Sequence, residues 1–185
     1  MSKSKIQKEA LLILLQKQFG QVECESKFDW LNTPSKSCDP SDYPPDYRAI
    51  IKALCEHRNK PDFCNVRPSD GKLSCDFAIE EHKLIIEYDE RQHFTSARKI
   101  ALQNYPADVV LHFSSSDWIK HCNEIDAHDN DPPYRDEQRA FYDSIRDIEA
   151  FRNGWTLFRI KDGDIDWTTA NTETLNNVIN NKAKK

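Results

Sequence analysis

The segment Cys75 to Phe94, CDFAIEEHKLIIEYDERQHF, gathers the residue types that could do chemistry: the carboxylates Asp76, Glu87 and Asp89 and the imidazole of His93. Leu73 to Ile79 and Lys83 to Tyr88 are short apolar runs bounded by charged or turn residues. They predict two adjacent antiparallel strands joined through Glu80, Glu81 and His82. Asp76 opens the first strand and Glu87 closes the second, so pairing would bring the two carboxylates together at one end, with Asp89 and His93 just beyond. Carboxylates so gathered repel unless a cation lies between them. A hard divalent ion such as Mg²⁺ suits oxygen ligands and retains waters that can be activated or can protonate a leaving group. Each residue also has a bland use, since strand-end acids commonly face solvent and a histidine after a strand is more often a hydrogen-bonded turn residue.

Several elements must position these groups. Ile6, Ala10, Ile13 and Leu14 recur at helical spacing between Lys3 and Phe19, with Gly20 as a stop, which predicts a helix whose wet face carries Lys5, Lys8, Glu9 and Gln16. From Gln21 to Tyr47 prolines, serines and aspartates dissolve the pattern into a long loop anchored by the apolar run Phe28 to Leu31. Helical period returns over Tyr47–His57 and again over Ser115–Ile125, while Asp108 to Phe113 is open between strand and loop. Pro132 and Pro133 open a stronger helix, Tyr134 to Arg152, with Phe141, Ile145, Ile148 and Phe151 on one face and Gly154 at its end. Trp155 to Ile160 then reads as a strand, and Thr172 to Asn181 as a closing helix.

The chain has 185 residues, 38% apolar and 31% charged, and a formal charge of −5, which describes one ordinary soluble domain. No run approaches the roughly 18 apolar residues of a membrane span, so a cytoplasmic protein is expected. Six cysteines are spread through a chain large enough to bury a core without staples, which favours reduced thiols. Cys55, His57, Cys64 and Cys75 lie close in sequence, yet no CxxC pair is present and the spacings fit no zinc ribbon or finger. The acidic balance confines nucleic-acid contacts to a local patch. The series Arg48, Lys52, Arg58, Lys60, Arg67 and Lys72 is a candidate, diluted by Asp46, Glu56, Asp62 and Asp70. The acidic run Glu124 to Glu137 reads as a solvated face.

Asp76 followed by Glu87-Tyr88-Asp89 resembles the signature of the PD-(D/E)XK, or restriction-endonuclease-like, nuclease superfamily, with Asp89 in place of the usual lysine. The run IIEYDERQH is similar to the branch containing the very-short-patch repair endonucleases and the EDxHD homing nucleases, in which a histidine after the second strand takes part in catalysis. The resemblance implies an α/β fold with a restriction-endonuclease-like core: a helix, a three-stranded meander, a helix and a strand, giving a mixed central sheet flanked by helices. Residues 34–71 and 97–131 would be insertions within a single domain. It implies Mg²⁺, with Mn²⁺ as substitute, held by Asp76, Glu87 and the Tyr88 carbonyl. His93 would act as general base or phosphate ligand, Glu9 of the first helix would bind an outer water or second ion, and Asp89 would orient His93 or a water. Arg146, Arg58 and Lys60 are the DNA-contact candidates, although Asp143 and Arg146, three apart, also suit an intrahelical ion pair.

The function so implied is Mg²⁺-dependent DNA endonuclease action of restriction, defence or repair type, with site choice supplied by the insertions, a homodimer or a partner protein. Two alternatives stay open. One is a module that keeps the nuclease fold and serves as a binding or scaffold subunit, suggested by the missing lysine and the negative charge. The other is an RNA nuclease of the same fold.

Overall fold

A computed structural model describes residues 2–34, 39–57, 71–129, 131 and 133–183, the last four by backbone alone. Its centre is a four-stranded mixed sheet of order β1 (Glu23–Asn32), β2 (Lys72–Ile79), β3 (Leu84–Asp89) and β4 (Thr156–Lys161). The first three strands run antiparallel to their neighbours, and β4 lies parallel to β3. Both predicted strands of the acid-bearing hairpin are present within a residue of their expected ends, joined by a short turn over Glu80–His82. The segment read as a loop after the first helix contains β1, whose buried positions are Ser26, Phe28 and Leu31. Its sequence, ECESKFDWLN, alternates too poorly to announce a strand, and pairing to β2 supplies what periodicity does not.

Helices cover both sheet faces. On one, α1 (Lys3–Phe19) and α6 (Thr172–Ala183) bury Leu11, Leu15 and Leu175 against Phe77, Ile86, Phe158 and Ile160. Each such side chain contributes about 1.5–3 kcal/mol of burial. The buried stripe of α1 is Gln7, Leu11 and Leu15, whereas the expected Ile6 and Ile13 are 40% and 64% exposed. The run ALLILL is apolar all round the helix, so spacing alone does not choose its inward face. Ser2 caps the start by accepting from the Lys5 N–H, and Gly20, with φ of 80°, ends the helix where a side chain would be strained.

On the other face, α2 (Pro45–Glu56) and α5 (Arg135–Arg152) bury Ile50, Ile51, Leu54, Phe141, Ile145 and Ile148 against Leu31, Leu73, Ile85 and Leu157. The region expected as a first insertion therefore places α2 within the central core. The second contains α3 (Ser96–Gln103), capped by Thr95, and α4 (Ser115–Ile125), capped by Ser114. These meet through Phe94, Leu102, Trp118 and Cys122. Asp108 to Phe113 adopts no regular element. The start of α5 corrects the reading of Glu124 to Glu137 as a solvated face, because Asp136 and Glu137 are buried, Glu137 against the His57 ring at 2.7 Å. Cys75 and Cys122 are buried thiols, Cys24 is exposed and Cys55 half-buried. Cys38, Cys64, Arg58, Lys60 and Arg67 lie outside the described residues.

Candidate functional site

β2 and β3 pair through Phe77 with Ile86, Ala78 with Ile85 and Ile79 with Leu84. The next step of that register sets Asp76 opposite Glu87, and there the ladder gives way to side chains. Glu87 Oε1 accepts the Asp76 N–H at 3.1 Å, and Asp76 Oδ2 accepts the Tyr88 N–H at 2.8 Å. Buried backbone donors need partners, so each carboxylate satisfies an amide that a regular sheet would give to a carbonyl. The other edge of β2 is also broken at this point. β1 pairs Cys24 with Phe77 and Ser26 with Cys75, while the intervening Glu25 has a left-handed φ of 50°. Leu73 and Cys75 join the core beneath α5, whereas Phe77 and Ile79 join the core beneath α1, so β2 changes face across Asp76. Strained backbone of this kind persists only where its surroundings hold it.

Two cations flank the carboxylates. Lys8 of α1 places Nζ 2.9 Å from Asp76 Oδ1. Burial pulls the Lys8 pKa down, but the charge and hydrogen bond of Asp76, with Glu90 and Glu87 nearby, raise it above its ordinary value. Arg146 of α5 donates from Nε to the Ser74 carbonyl at 2.7 Å and sits 3.7 Å from Glu87 Oε2. Its Nη1 is 3.2 Å from Asp143, the intrahelical pair that their spacing predicts. Glu87 is only 4% exposed. Burial drives its pKa up to about 7; Arg146 opposes the rise and Asp76 adds to it.

Of the residues expected to act, Asp76 and Glu87 form this fork, His93 lines a cavity together with Arg146, and two others stand elsewhere. Glu9 is exposed, turned about 100° round α1 from the side chain that reaches the acids. The same one-residue rotation that buries Leu11 in place of Ala10 brings Lys8 inward, and Ser4, one turn earlier, donates to Glu90. The signal was the row Ser4, Lys8, Leu11 and Leu15 at helical spacing. Asp89 is 1% exposed and points into the core, where it accepts from Arg159 Nη1 at 2.6 Å and Trp118 Nε1 at 2.7 Å. Its carboxylate lies 3.7 Å from His93 Nδ1, while Asp143 Oδ2, at 2.9 Å, is the closer partner of that ring. Burial lowers the His93 pKa, but the charge and hydrogen bond of Asp143, assisted by Asp89, outweigh it and raise the value above the ordinary one.

Arg159 binds Asp89, Asp147 at 2.8 Å and the Asp143 carbonyl at 3.2 Å; Arg98 binds Asp147 at 2.7 Å. This network is hidden from sequence because its members lie on β3, α3, α5 and β4, and Arg98, Asp147 and Arg159 belong to no motif.

The donor set suits a hard cation. Mg²⁺ is commonly held by one or two carboxylates, with waters and substrate phosphates completing its octahedron. Asp76 and Glu87 supply that pair, and a buried carboxylate with its pKa near 7 is one that a nearby cation would stabilise. Among the described residues no group of three or more His, Cys, Asp or Glu side chains forms a metal cage. No helix of the described residues is long and apolar enough to cross a membrane. Compared with known proteins, the chain matches no family model, no curated protein and no solved structure.

Proposed function

We propose that the protein is a Mg²⁺-dependent endonuclease of the restriction-endonuclease-like kind, hydrolysing DNA phosphodiester bonds in restriction, defence or repair. The observation that carries this reading is the pair Asp76 and Glu87, facing each other where β2 and β3 splay, flanked by Lys8 and Arg146. The order of α1, three antiparallel strands, α5 and a parallel β4 supports it, since this is the order that the motif resemblance implies.

Asp76 and Glu87, with the Tyr88 carbonyl, would hold the metal, which when bound supplies charge neutralisation at the scissile phosphate and an acidified water. The protein's own groups have separate tasks. Lys8, paired with Asp76, would supply from α1 the positive charge that the family's lysine brings, since Asp89 occupies the strand position of that lysine. It would steady the attacking water or the departing oxygen. His93, whose charged form Asp143 favours, suits contact with a phosphate oxygen better than removal of a proton from water. Arg146 offsets part of the charge of Glu87, and burial still holds that carboxyl's pKa up at about 7.

The reading as a non-catalytic binding module draws support from the engagement of both Asp76 oxygens, by Lys8 and by the Tyr88 amide. Metal-dependent cutting separates the two. Purified protein should convert supercoiled plasmid in Mg²⁺ or Mn²⁺ and not in EDTA, and Asp76→Ala should abolish both cleavage and metal binding measured by calorimetry. Equal metal binding in parent and variant, with no cutting of DNA or RNA, would leave the binding module in front. Lys8→Met should lower the single-turnover cleavage rate roughly 10²-fold, and Lys8→Arg should restore part of it. An unchanged rate in Lys8→Met would remove Lys8 from the mechanism.

A further inference from the structure

A cavity of about 220 Å³ opens beside the carboxylate fork, lined by His93, Arg135, Gln138, Arg139, Tyr142 and Arg146. The chain carries a net charge of −5, yet this lining holds three guanidiniums, an imidazole and no carboxylate. The α5 members fall at positions i, i+3, i+4, i+7 and i+11, one face of the helix. From Arg135 to Arg146 that face extends about 16 Å along the axis.

Acids stand behind the arginines and hold them. Asp129 and Asp136 lie 3.0 and 3.7 Å from Arg139, and Asp143 and Glu87 lie 3.2 and 3.7 Å from Arg146. Arg139 Nη1 also donates to the Gln92 carbonyl at 3.0 Å, as Arg146 Nε does to that of Ser74. A guanidinium has five donors in a rigid fork, so one anchored through some of them can still present others to an oxyanion. Arg135, at the far end, is exposed on the first turn of α5.

We propose that this face of α5 seats the phosphodiester backbone of one nucleic-acid strand on one side of the carboxylate fork, with Arg146 at the end beside Glu87 and Arg135 at the outer end. At about 3.4 Å of rise per nucleotide, the row covers about five nucleotides. Phosphates offer anionic oxygens at regular intervals, and the row offers charged forks along a line, which positions a strand without reading its bases. The placement relative to the cut rests on the nuclease reading; the groove's affinity for the backbone does not.

The experiment measures binding of a fluorescent 30-base-pair duplex by anisotropy in EDTA, where no cleavage occurs, across a series of KCl concentrations. Each lost phosphate contact lowers the magnitude of the slope of log K against log[salt] by about 0.9. Arg135→Gln and Arg139→Gln should each show this reduction and weaken binding roughly three- to tenfold at moderate salt, and Arg135→Glu more. Arg135 is exposed, so its variants keep the fold and the test does not hang on Arg139, whose removal also breaks the link to Asp129. An unchanged slope in both Arg135 variants, or no binding by the parent, overturns the groove. Cleavage of plasmid by the parent alongside unchanged slopes sinks the groove and leaves the nuclease standing. Reduced slopes without any cleavage do the reverse.

Discussion

Glu87→Gln should make the metal-free protein more stable at pH 8 and should abolish cleavage. Glu87 is buried in a position where its nearest cation, Arg146, stands off at 3.7 Å and another carboxylate, Asp76, lies across the strands. Burial, only partly opposed by Arg146, raises its pKa to about 7 from an ordinary value of 4.5. Between those two values the native state holds a proton that the unfolded chain has released, so the native state loses stability as pH rises through this window. Glutamine keeps the shape and the oxygen that accepts the Asp76 amide but carries no charge to desolvate. The expected gain at pH 8 is on the order of 1–2 kcal/mol, roughly 2–8 °C in midpoint for a chain of this length. At pH 5, near the foot of that window, most of it should be gone, because Glu87 is then protonated in the folded parent. Scanning calorimetry at the two pH values measures both. Mg²⁺ should raise the parent's midpoint at pH 8 and leave that of the variant unmoved, while cleavage falls by at least about 10³-fold. A variant less stable than its parent at pH 8 would show that Glu87 is a structural carboxylate, and the metal assignment would fail with it.

How much of this was legible in the chain depended on how far apart the partners lie. The pairing of Asp76 with Glu87 could be read because a three-residue turn and two short apolar runs leave one register in which the strands bury their faces. The helix over 115–125 was legible because Ser114 caps a run with apolar residues on one side. In α1 spacing points to the wrong inward face, since leucine and isoleucine surround the helix, and a one-residue rotation exchanges Glu9 for Lys8 beside Asp76. β1 is illegible because, of its three buried positions, Ser26 is polar and Leu31 falls three residues after Phe28, out of strand alternation. The acids of α5 were unreadable for another reason. Asp147 and Glu137 look like wet positions until Arg98, 49 residues away, and His57, 80 residues away, are brought against them. Arg135 and Arg139 did carry a signal, helical spacing with Arg146, which pooling charge by sequence window conceals.

Arg159→Met should cost about 3–5 kcal/mol, a large share of the 5–15 kcal/mol by which domains are ordinarily stable. Arg159 is fully buried, and its guanidinium meets Asp89, Asp147 and the backbone and carboxylate of Asp143. Those three carboxylates are each at most 2% exposed. Methionine fills most of the volume but leaves them with Arg98, Arg146 and His93 as the cations that touch them. The defect should depend on pH with a definite sign. His93 has a raised pKa in the fold, so its stabilising charge is fully present below about 6.5 and is lost as pH climbs through the folded value. With Arg159 gone, that charge neutralises a larger part of the remaining negative cluster, and the deficit measured by urea unfolding should be greater at pH 8.5 than at pH 6. A deficit below about 1 kcal/mol at both would mean that the acids escape by taking up protons, and Asp89 would then be open to a chemical task. A large deficit that grows with pH assigns Asp89 to the framework, and on the proposed nuclease reading the positive charge that this strand position usually brings would come from Lys8 on the opposite face of the sheet.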